Sequence, residues 1–311
     1  MIDRVGAAPR ATVLADPSPE SDRQVVVQVE ATALNAIDVH VAEGHHRAGP
    51  PKVPYVPGFE VVGTIVTGPD QGLRVHANVP AGLVPGVDGG LAELVLADRA
   101  ACIPVPDGLS SVAAAAIGAV GVGADLSLRK AGLRAGESVL VLGATGPFGA
   151  AALRLARLAG AERVIAAGRN PERLAQVPDA DALLVLGEEP LPERLASLGG
   201  PVDLVVDPVW GPWVMQAMGC LRLGGRYVNV GAAGGEGEFR ADALRAAQLT
   251  LIGFSGTTAK PEEVFASYTR IAALAAAASF TLPTTTYSLP EAPHAWQAQA
   301  SSPGRKIVIT P

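Results

Sequence analysis

Hydrophobic and polar positions follow two different patterns along the chain, and the first of them covers the N-terminal third. Residues 24–30 (QVVVQVE), 61–66 and 91–96 carry β-branched or alternating apolar side chains. Glycine, proline and aspartate bound these segments, as they bound short strands that are joined by turns. The pattern predicts a β-rich N-terminal region.

The pattern changes after Val112, where helical stretches alternate with short, continuous apolar segments. Continuous apolar segments are typical of strands buried on both faces, and their alternation with helices indicates a parallel, doubly wound sheet. The predicted number of strands matches a complete Rossmann sheet. The predicted strands are residues 138–142, 163–167, 182–186, 203–206, 227–230 and 249–252.

The chain changes again after Gly253, with one helix predicted over residues 262–278 and extended segments that end at residues 305–310. The regions on either side of the predicted sheet are each small for a separate core. We therefore predict an α/β protein with two domains. A Rossmann dinucleotide-binding domain, residues 119–253, is inserted into a discontinuous β-rich domain made of residues 1–118 and 254–311.

A glycine-rich turn follows the first of these strands and opens a helix that is predicted to run to about Ala159. The spacing G-x-x-G-x-x-G is a variant of the dinucleotide-binding fingerprint. Gly143 permits a tight turn, Gly146 lets a pyrophosphate approach the backbone, and Gly149 permits close helix–strand packing. The helix N-terminus then offers free amides and partial positive charge to phosphates. The candidate cofactor-binding residues of this turn are Gly143, Thr145, Gly146, Pro147, Phe148 and Gly149.

The end of the second predicted strand bears on the choice between NADH and NADPH. An NADH enzyme places an acidic residue there for the ribose 2′-hydroxyl. This chain has Gly168, Arg169 and Asn170 instead. A guanidinium can bind a 2′-phosphate, so these three residues are candidate cofactor-binding residues and NADPH is the predicted cofactor. The alternative is that Arg169 is a solvated arginine at a strand end.

Composition and charge narrow the class of protein. The chain has 311 residues and a net charge of −6, with no basic block, which argues against nucleic acid or an anionic membrane as the main partner. No segment is long and apolar enough to span a bilayer, and residues 1–10 lack the apolar core of a secretory signal. Cys102 and Cys220 are too far apart in sequence for a CxxC motif. We expect a cytoplasmic enzyme with no nucleic-acid or membrane partner.

Several segments together resemble the medium-chain dehydrogenase/reductase superfamily, and they cover nearly the whole chain. Their order and spacing, together with the glycine-rich turn, carry the resemblance. The resemblance implies a Rossmann domain and a β-rich, GroES-like catalytic domain. The segments are residues 33–38 (ALNAID), 54–63 (PYVPGFEVVG), 89–93 (GGLAE), 223–231 (LGGRYVNVG) and 304–309 (GRKIVI).

The zinc alcohol dehydrogenases of this superfamily have a cysteine where this chain has Asn35, and a histidine where it has Phe59. Phenylalanine cannot ligate a metal. The cysteine-rich lobe of those enzymes is also absent around residues 85–105. We therefore predict no metal site. A metal site outside the family pattern, built from His40, His46 and Glu60, is an open alternative.

Asn35 followed by the acidic Asp38 is similar to the zinc-independent quinone oxidoreductase branch of the superfamily. The resemblance implies that Asn35 lies beside the nicotinamide and can hydrogen-bond a carbonyl of the substrate. His40 and His46 fall where that branch often has tyrosines, so they are candidate catalytic residues. Structural or solvated roles remain open for both histidines.

Two further segments are candidates for the cofactor site. Asn229 and Gly231 lie at the carboxyl end of a predicted strand, where open α/β sheets bind their ligands. The segment after residue 253 occupies the place where, by the resemblance, the chain passes the nicotinamide. Its candidate cofactor-binding residues are Phe254, Ser255 and Gly256.

The resemblance implies hydride transfer from NADPH to quinones or α,β-unsaturated carbonyl compounds without a metal. Two alternatives remain open. One is a trans-acting enoyl reductase of a biosynthetic pathway, and the other is a non-catalytic NADPH-binding protein. We also expect a homodimer, as in the family.

Overall fold

The secondary structure is strand-rich at both ends of the chain and alternates between strands and helices in the middle. The structure is a computed structural model that describes residues 1–302 and 304–311. Within these residues no helix is long and apolar enough to cross a bilayer. The strands are β1 (Gln24–Ala33), β2 (Glu60–Ile65), β3 (Arg74–Asn78), β4 (Leu94–Asp98), β5 (Cys102–Pro104), β6 (Ser138–Val141), β7 (Arg163–Gly168), β8 (Ala182–Val185), β9 (Val202–Asp207), β10 (Leu221–Asn229), β11 (Thr250–Gly253), β12 (Thr284–Ser288) and β13 (Lys306–Thr310). The α-helices are α1 (Ala36–Ala42), α2 (Ser111–Ala116), α3 (Ala119–Lys130), α4 (Pro147–Leu158), α5 (Pro171–Leu174), α6 (Leu191–Ala196), α7 (Val214–Gly219), α8 (Ala241–Ala246), α9 (Pro261–Ala276) and α10 (Ala292–Ala300).

The chain divides into two compact units. The first, the terminal unit, comprises Met1–Val120 and Pro261–Pro311, and the second, the central unit, comprises Gly121–Lys260. A unit built from both ends of the chain, with the other inserted, is the arrangement that the sequence predicts. The predicted domain limits, after residues 118 and 253, stay a prediction; the compact units change over after residues 120 and 260.

The terminal unit contains a mixed, largely antiparallel sheet with the strand order β12-β13-β1-β2-β3-β5, and β4 pairs with β1. Alternating valines of β1 enter a core cluster with valines of β2 and β3, as the period-two pattern of residues 24–30 predicts. A second cluster joins α1 and α10 to β13 through Val39, Trp296 and Ile307. These two clusters fix the end of β1, from which α1 begins.

The central unit contains a six-stranded sheet with the order β11-β10-β9-β6-β7-β8, and every pairing in it is parallel. Strand β6 lies between β7 and β9, and all four of its residues are buried, which explains its continuous apolar sequence. The predicted fold class, a doubly wound parallel sheet with a β-rich GroES-like unit, is confirmed.

The strand order places a topological switch point between β6 and β9. From β6 the chain proceeds outward to β7 and β8, then returns to β9 on the other side of β6. Because the loops after β6 and β9 leave the sheet in opposite directions, a crevice forms at the carboxyl ends of these two strands. Ligands of open α/β sheets bind at such a crevice.

Candidate functional site

The glycine-rich turn lies at this switch point, directly after β6. We call residues 143–149 the phosphate turn. Gly143 adopts the left-handed region with a φ of +61°, and the amide of Gly146 donates to the carbonyl oxygen of Gly143 at 3.0 Å. Gly146 is the N-cap of α4 and Pro147 is its first residue, so the predicted helix start is confirmed.

Close packing explains the third glycine of the phosphate turn. A Cβ atom at Gly149 would lie 2.3 Å from the carbonyl oxygen of Gly143, whereas at Gly146 the nearest atom, the same oxygen, would be 3.4 Å away. Gly149 therefore lets α4 pack onto the turn, and Gly146 presents open backbone. Because the N-cap has no side chain, no side chain caps the first amides of α4, and they are available to an anion.

The end of β7 packs on the phosphate turn and presents a cation. A Cβ atom at the buried Gly168 would lie 3.2 Å from Cγ2 of Thr145. Asn170 caps α5, because its Oδ1 accepts a hydrogen bond from the amide of Arg173 at 2.8 Å. Arg169 is exposed, and among residues 1–302 and 304–311 its side chain has no hydrogen bond or ion pair. Its guanidinium is therefore available to a ligand anion.

The ends of β10 and β11 lie at the same edge of the sheet, because both strands run parallel to β6. Nδ2 of Asn229 donates to the carbonyl oxygens of Asp207, at 3.3 Å, and Gly231, at 2.7 Å. The amide of Phe254 donates to the carbonyl oxygen of Asn229 at 2.9 Å. Ser255 and Gly256, which follow, are exposed. The structure thus brings the candidate cofactor-binding residues of the central unit to one sheet edge, although the amide hydrogens of Asn229 serve the protein itself.

Asn35 lies in the terminal unit, between β1 and α1, and only 6% of its surface is exposed. Its Nδ2 donates to Oε1 of Glu60 at 2.8 Å and to the carbonyl oxygen of Ala33 at 3.1 Å. Its Oδ1 accepts a hydrogen bond from Nζ of Lys306. Both amide hydrogens are donated within the protein, so donation to a substrate carbonyl requires the release of one of them.

Glu60 is the centre of this buried polar cluster and is fully inaccessible to solvent. Its Oε1 lies 3.2 Å from Nζ of the buried Lys306, and its Oε2 lies 3.1 Å from Nε2 of His76 and accepts a hydrogen bond from the amide of Ala119 at 2.6 Å. Burial alone would raise the pKa of Glu60, but Lys306, His76 and Asn35 stabilise the carboxylate and hold its pKa at about 2. Glu60 is therefore a compensated buried anion.

Sequence reasoning did not assign roles to His76, Lys306 or Tyr268. The ring of His76 stacks on that of Tyr268, with centroids 4.1 Å apart, and the Tyr268 hydroxyl donates to the carbonyl oxygen of Ala114 at 3.2 Å. For Lys306, the signal in the sequence is a charged residue at the start of the apolar strand β13 (KIVIT). Such a residue needs a buried partner, but one sequence does not identify that partner.

Asp38 is also buried, but its partners are backbone amides. Its carboxylate accepts hydrogen bonds from the amides of Asn35 and Phe59, each at 2.8 Å. Burial outweighs these bonds and raises the pKa of Asp38 to about 6. Asp38 thus fixes the start of α1 and carries a proton more readily than a surface aspartate does.

The two candidate histidines lie at the surface. His40 is exposed in the last turn of α1, and its ring centroid is 6.2 Å from that of His45. His46 is half-buried in the following loop, where its Nδ1 accepts a hydrogen bond from the amide of Ala48 at 3.2 Å. Partial burial, with Arg47 and His40 nearby, lowers the pKa of His46.

The structure does not support the alternative metal site. Glu60 is bonded to Asn35, Lys306 and His76, whereas His40 is exposed. In the part of the chain that the structure describes, no three histidine, cysteine or acidic side chains are grouped as metal ligands. Whether the protein functions without a metal remains a prediction.

Comparison with known proteins places the chain among characterised families. The family model described as zinc-binding dehydrogenase matches residues 147–273, and that of the alcohol dehydrogenase GroES-like domain matches residues 21–107. The crystal structure of the quinone oxidoreductase from Thermus thermophilus is 32% identical, covers 100% of this chain and 98% of its own, and has a TM-score of 0.82.

Two curated relatives match this chain over only part of their own length. The quinone oxidoreductase-like protein 2 homolog of Nematostella vectensis is 32% identical over 222 residues, which are 68% of this chain and 59% of that protein. The mycocerosic acid synthase-like polyketide synthase of Mycobacterium tuberculosis is 30% identical over 229 residues, which are 70% of this chain and 10% of that protein. The chain therefore spans less than two thirds of either relative.

A parallel six-stranded sheet with a phosphate turn at its switch point, and a β-rich unit made from both chain ends, define the class of two-domain, dinucleotide-dependent oxidoreductases. The full-length match to the Thermus thermophilus enzyme narrows this class. The chain belongs to the medium-chain dehydrogenase/reductase superfamily, in its quinone oxidoreductase branch.

Proposed function

We propose that the protein transfers hydride from NADPH to quinones or α,β-unsaturated carbonyl compounds without a metal. The observation that carries this proposal is the exposed, unpaired Arg169 beside the phosphate turn, at a position where an NADH enzyme has an acidic residue. Similarity to quinone oxidoreductases supports the acceptor class. The Thermus thermophilus enzyme has been solved as a complex with NADPH.

The residues of the central unit fit such a cofactor. The open backbone at Gly146 and the uncapped amides of α4 would hold the pyrophosphate, and Arg169 would hold the 2′-phosphate. The cofactor-binding roles of the phosphate turn, Gly168, Asn170, Asn229, Gly231 and residues 254–256 belong to this proposal. When bound, NADPH supplies the hydride.

The proposed role of the terminal unit is to stabilise the acceptor. A quinone or enone spreads developing negative charge onto an oxygen atom, and one hydrogen-bond donor at such an atom typically contributes ~2.7–4 kcal/mol. We assign this donation to Nδ2 of Asn35, in exchange for its longer bond, the one to Ala33. His40 and His46 are the proposed proton donors, with solvent as the alternative.

The donor set of this chain favours chemistry without a metal. By the family resemblance, Asn35 and Phe59 occupy zinc-ligand positions, and a phenyl ring cannot ligate zinc. Oxidation of a simple alcohol without a metal requires deprotonation by a group such as imidazole, whose usual pKa of ~6.5 is about nine units below that of water. Conjugated acceptors avoid this step.

A panel assay tests the proposal. NADPH oxidation is followed with 1,4-benzoquinone, a simple enone and an enoyl thioester, and NADP⁺ reduction is followed with a simple alcohol. We expect turnover with the quinone or the enone and none with the alcohol. Alcohol oxidation as the fastest reaction would refute the proposed acceptor class.

A second candidate is an enoyl reductase that acts on a carrier-bound acyl chain. The similarity to a segment of a polyketide synthase favours it. In the same panel, an enoyl thioester that is reduced well ahead of the quinone and the enone identifies this function. NADPH that binds without turnover of any acceptor identifies a non-catalytic NADPH-binding protein. The homodimer and the cytoplasmic location stay predictions.

A further inference from the structure

A strained turn follows β9 at the switch point. We call residues 208–211 the β9 turn. Within it, Trp210 has a φ of +57° and a ψ of −137°, a left-handed backbone conformation that glycine adopts far more readily than tryptophan. Such conformations persist only where the surroundings hold them, and they occur often at ligand sites.

The carboxylate of Asp207 holds the β9 turn in this conformation. Asp207 is buried, with 1% of its surface exposed. Its Oδ1 accepts hydrogen bonds from the amides of Val209, at 2.6 Å, and Trp210, at 2.8 Å, and its Oδ2 accepts one from the Tyr227 hydroxyl. These two hydrogen bonds fix the backbone that leads into the strained φ angle of Trp210. The indole of Trp210 adds a bond from Nε1 to the carbonyl oxygen of Gly237 at 3.2 Å.

The β9 turn also packs against the phosphate turn. A Cβ atom at Gly143 would lie 3.0 Å from Cγ2 of Val209 and 3.2 Å from Cγ of Pro208. These two side chains therefore pack directly on the first glycine of the phosphate turn. The carbonyl oxygens of Pro208 and Val209 also accept hydrogen bonds from residues 233 and 234, so the β9 turn joins the loops after β6 and β10.

We propose that Asp207 is a positioning residue for the dinucleotide site. By holding the β9 turn against the phosphate turn, it fixes the shape of the crevice that the pyrophosphate enters, and the affinity for NADPH depends on it. This inference rests on the proposed function, because it takes the phosphate turn as the dinucleotide site. Because Asp207 is buried, its proposed effect on the cofactor is indirect, through the β9 turn.

The chain offers a matched control on the same strand. Asp203, near the start of β9, is also buried, accepts a hydrogen bond from the amide of Ser138 at 2.8 Å, and pairs with Arg222 at 2.8 Å. It lies four residues, or about 13 Å, from Asp207, toward the opposite edge of the sheet. Loss of either carboxylate removes buried hydrogen bonds, but only Asp207 holds the β9 turn.

The first experiment compares NADPH dissociation constants by isothermal titration calorimetry for the wild type, Asp207→Ala, Asp207→Asn and Asp203→Ala, with melting temperatures measured alongside. We expect Asp207→Ala to weaken binding by about tenfold or more, from the loss of buried hydrogen bonds. Asp203→Ala should stay within about twofold of the wild type. Asp207→Asn should recover most of the affinity, because its Oδ1 still accepts from Val209 and Trp210.

The second experiment uses the wild type alone and answers the question even if Asp207→Ala does not fold. Because linkage is reciprocal, a cofactor that needs the β9 turn must also stabilise it. NADP⁺ should therefore slow hydrogen exchange of the Val209 and Trp210 amides and leave the Ser138 amide unchanged.

The outcomes separate the inference from the proposed function. A folded Asp207→Ala variant that binds NADPH as tightly as Asp203→Ala overturns the positioning role, as does unchanged exchange at Val209 and Trp210 in saturating NADP⁺. A wild type that binds no NADPH refutes the proposed function itself. NADPH binding that is about tenfold weaker in Asp207→Ala but not in Asp203→Ala supports both the positioning role of Asp207 and the proposed function.

Discussion

At the scale of single residues, two buried carboxylates of similar exposure behave in opposite ways. Glu60 has Lys306 beside it and stays ionised, whereas Asp38 has only backbone amides as hydrogen-bond partners and titrates at about 6. Burial opposes ionisation of both, so the side chains of Lys306, His76 and Asn35 around Glu60 account for the difference. This contrast gives the stability of the terminal unit a defined pH dependence.

The titration of Asp38 is testable by its effect on stability. Folding raises the pKa of Asp38 from 3.8 to about 6. The contribution of protonated Asp38 to the free energy of unfolding is therefore fully present below pH 3.8 and is lost as pH rises through about 6. Between pH 4 and 7, the free energy of unfolding of the wild type should therefore fall by about 2–3 kcal/mol relative to Asp38→Asn. Urea unfolding at several pH values measures this difference. A difference that does not vary with pH contradicts the assignment.

The stability contributed by Glu60 depends on pH with the opposite sign. Folding lowers its pKa from 4.5 to about 2, so its contribution is present above pH 4.5 and is lost as pH falls through about 2. In the same experiment, Glu60→Gln should therefore show no relative change between pH 6 and 8.

Arg169 decides the cofactor preference in our proposal. Removing a charge-assisted bond to a phosphate costs ~1.5–3 kcal/mol, so Arg169→Ala should weaken NADPH about 10- to 150-fold and leave NADH nearly unchanged. Arg245, another exposed arginine of the central unit, is a matched control, and Arg245→Ala should bind both cofactors normally. Calorimetric titration with each cofactor measures the effect. Equal losses for NADPH and NADH would place Arg169 outside the site.

Asn35 combines a structural and a proposed catalytic role. Asn35→Ala leaves Lys306 and Glu60 each without one partner, which should cost about 1–3 kcal/mol of stability. Turnover should fall further than this loss explains, while the dissociation constant of NADPH stays within a few-fold. Thr32→Ala, which also removes a buried hydrogen bond from the same segment, is the control and should keep its turnover number. Equal turnover numbers for the two variants would restrict Asn35 to a structural role.

At the scale of elements, the phosphate turn shows how packing dictates sequence. The gap between Gly149 and the carbonyl oxygen of Gly143 has no room for a Cβ atom, so α4 can begin at Pro147 only if residue 149 is glycine. Gly253, at the end of β11, has open space around its Cβ position. The two glycines therefore differ in their tolerance of a methyl group.

Gly149→Ala should displace α4 from the phosphate turn and so weaken NADPH binding by at least about tenfold, with a lower melting temperature. Gly253→Ala should change neither quantity appreciably. Calorimetric titration and differential scanning calorimetry on both variants measure the contrast. A Gly149→Ala variant with normal NADPH affinity would show that the close approach is not needed for binding.

The elements of the central unit were predictable from sequence, because continuous apolar strands and glycine spacing are local signals. All six predicted strands are present in the sheet, and the helix after the phosphate turn ends one residue before the predicted end. The polar cluster around Glu60 was not predictable, because Lys306 is far from Glu60 in sequence and only the pairing of β1 with β13 and β2 brings them together. Asp207 was missed for a similar reason, since its role depends on the backbone angles of Trp210.

At the scale of the whole molecule, our proposal assigns cofactor binding to the central unit and stabilisation of the acceptor to the terminal unit. The family model that matches residues 147–273 is described as a zinc-binding dehydrogenase. In our proposal, by contrast, hydride transfer proceeds without a metal, because Asn35 and Phe59 stand at the positions where the family resemblance expects zinc ligands. The central claim is therefore the combination of NADPH, a conjugated acceptor and no metal.

The most direct test is the rate of NADPH oxidation with 1,4-benzoquinone after exhaustive chelation of the purified protein. Our account predicts that the chelated protein retains its full rate and that added zinc does not increase it, because no step in the proposed reaction requires a Lewis acid. Loss of the rate on chelation, restored by stoichiometric zinc, would contradict the account.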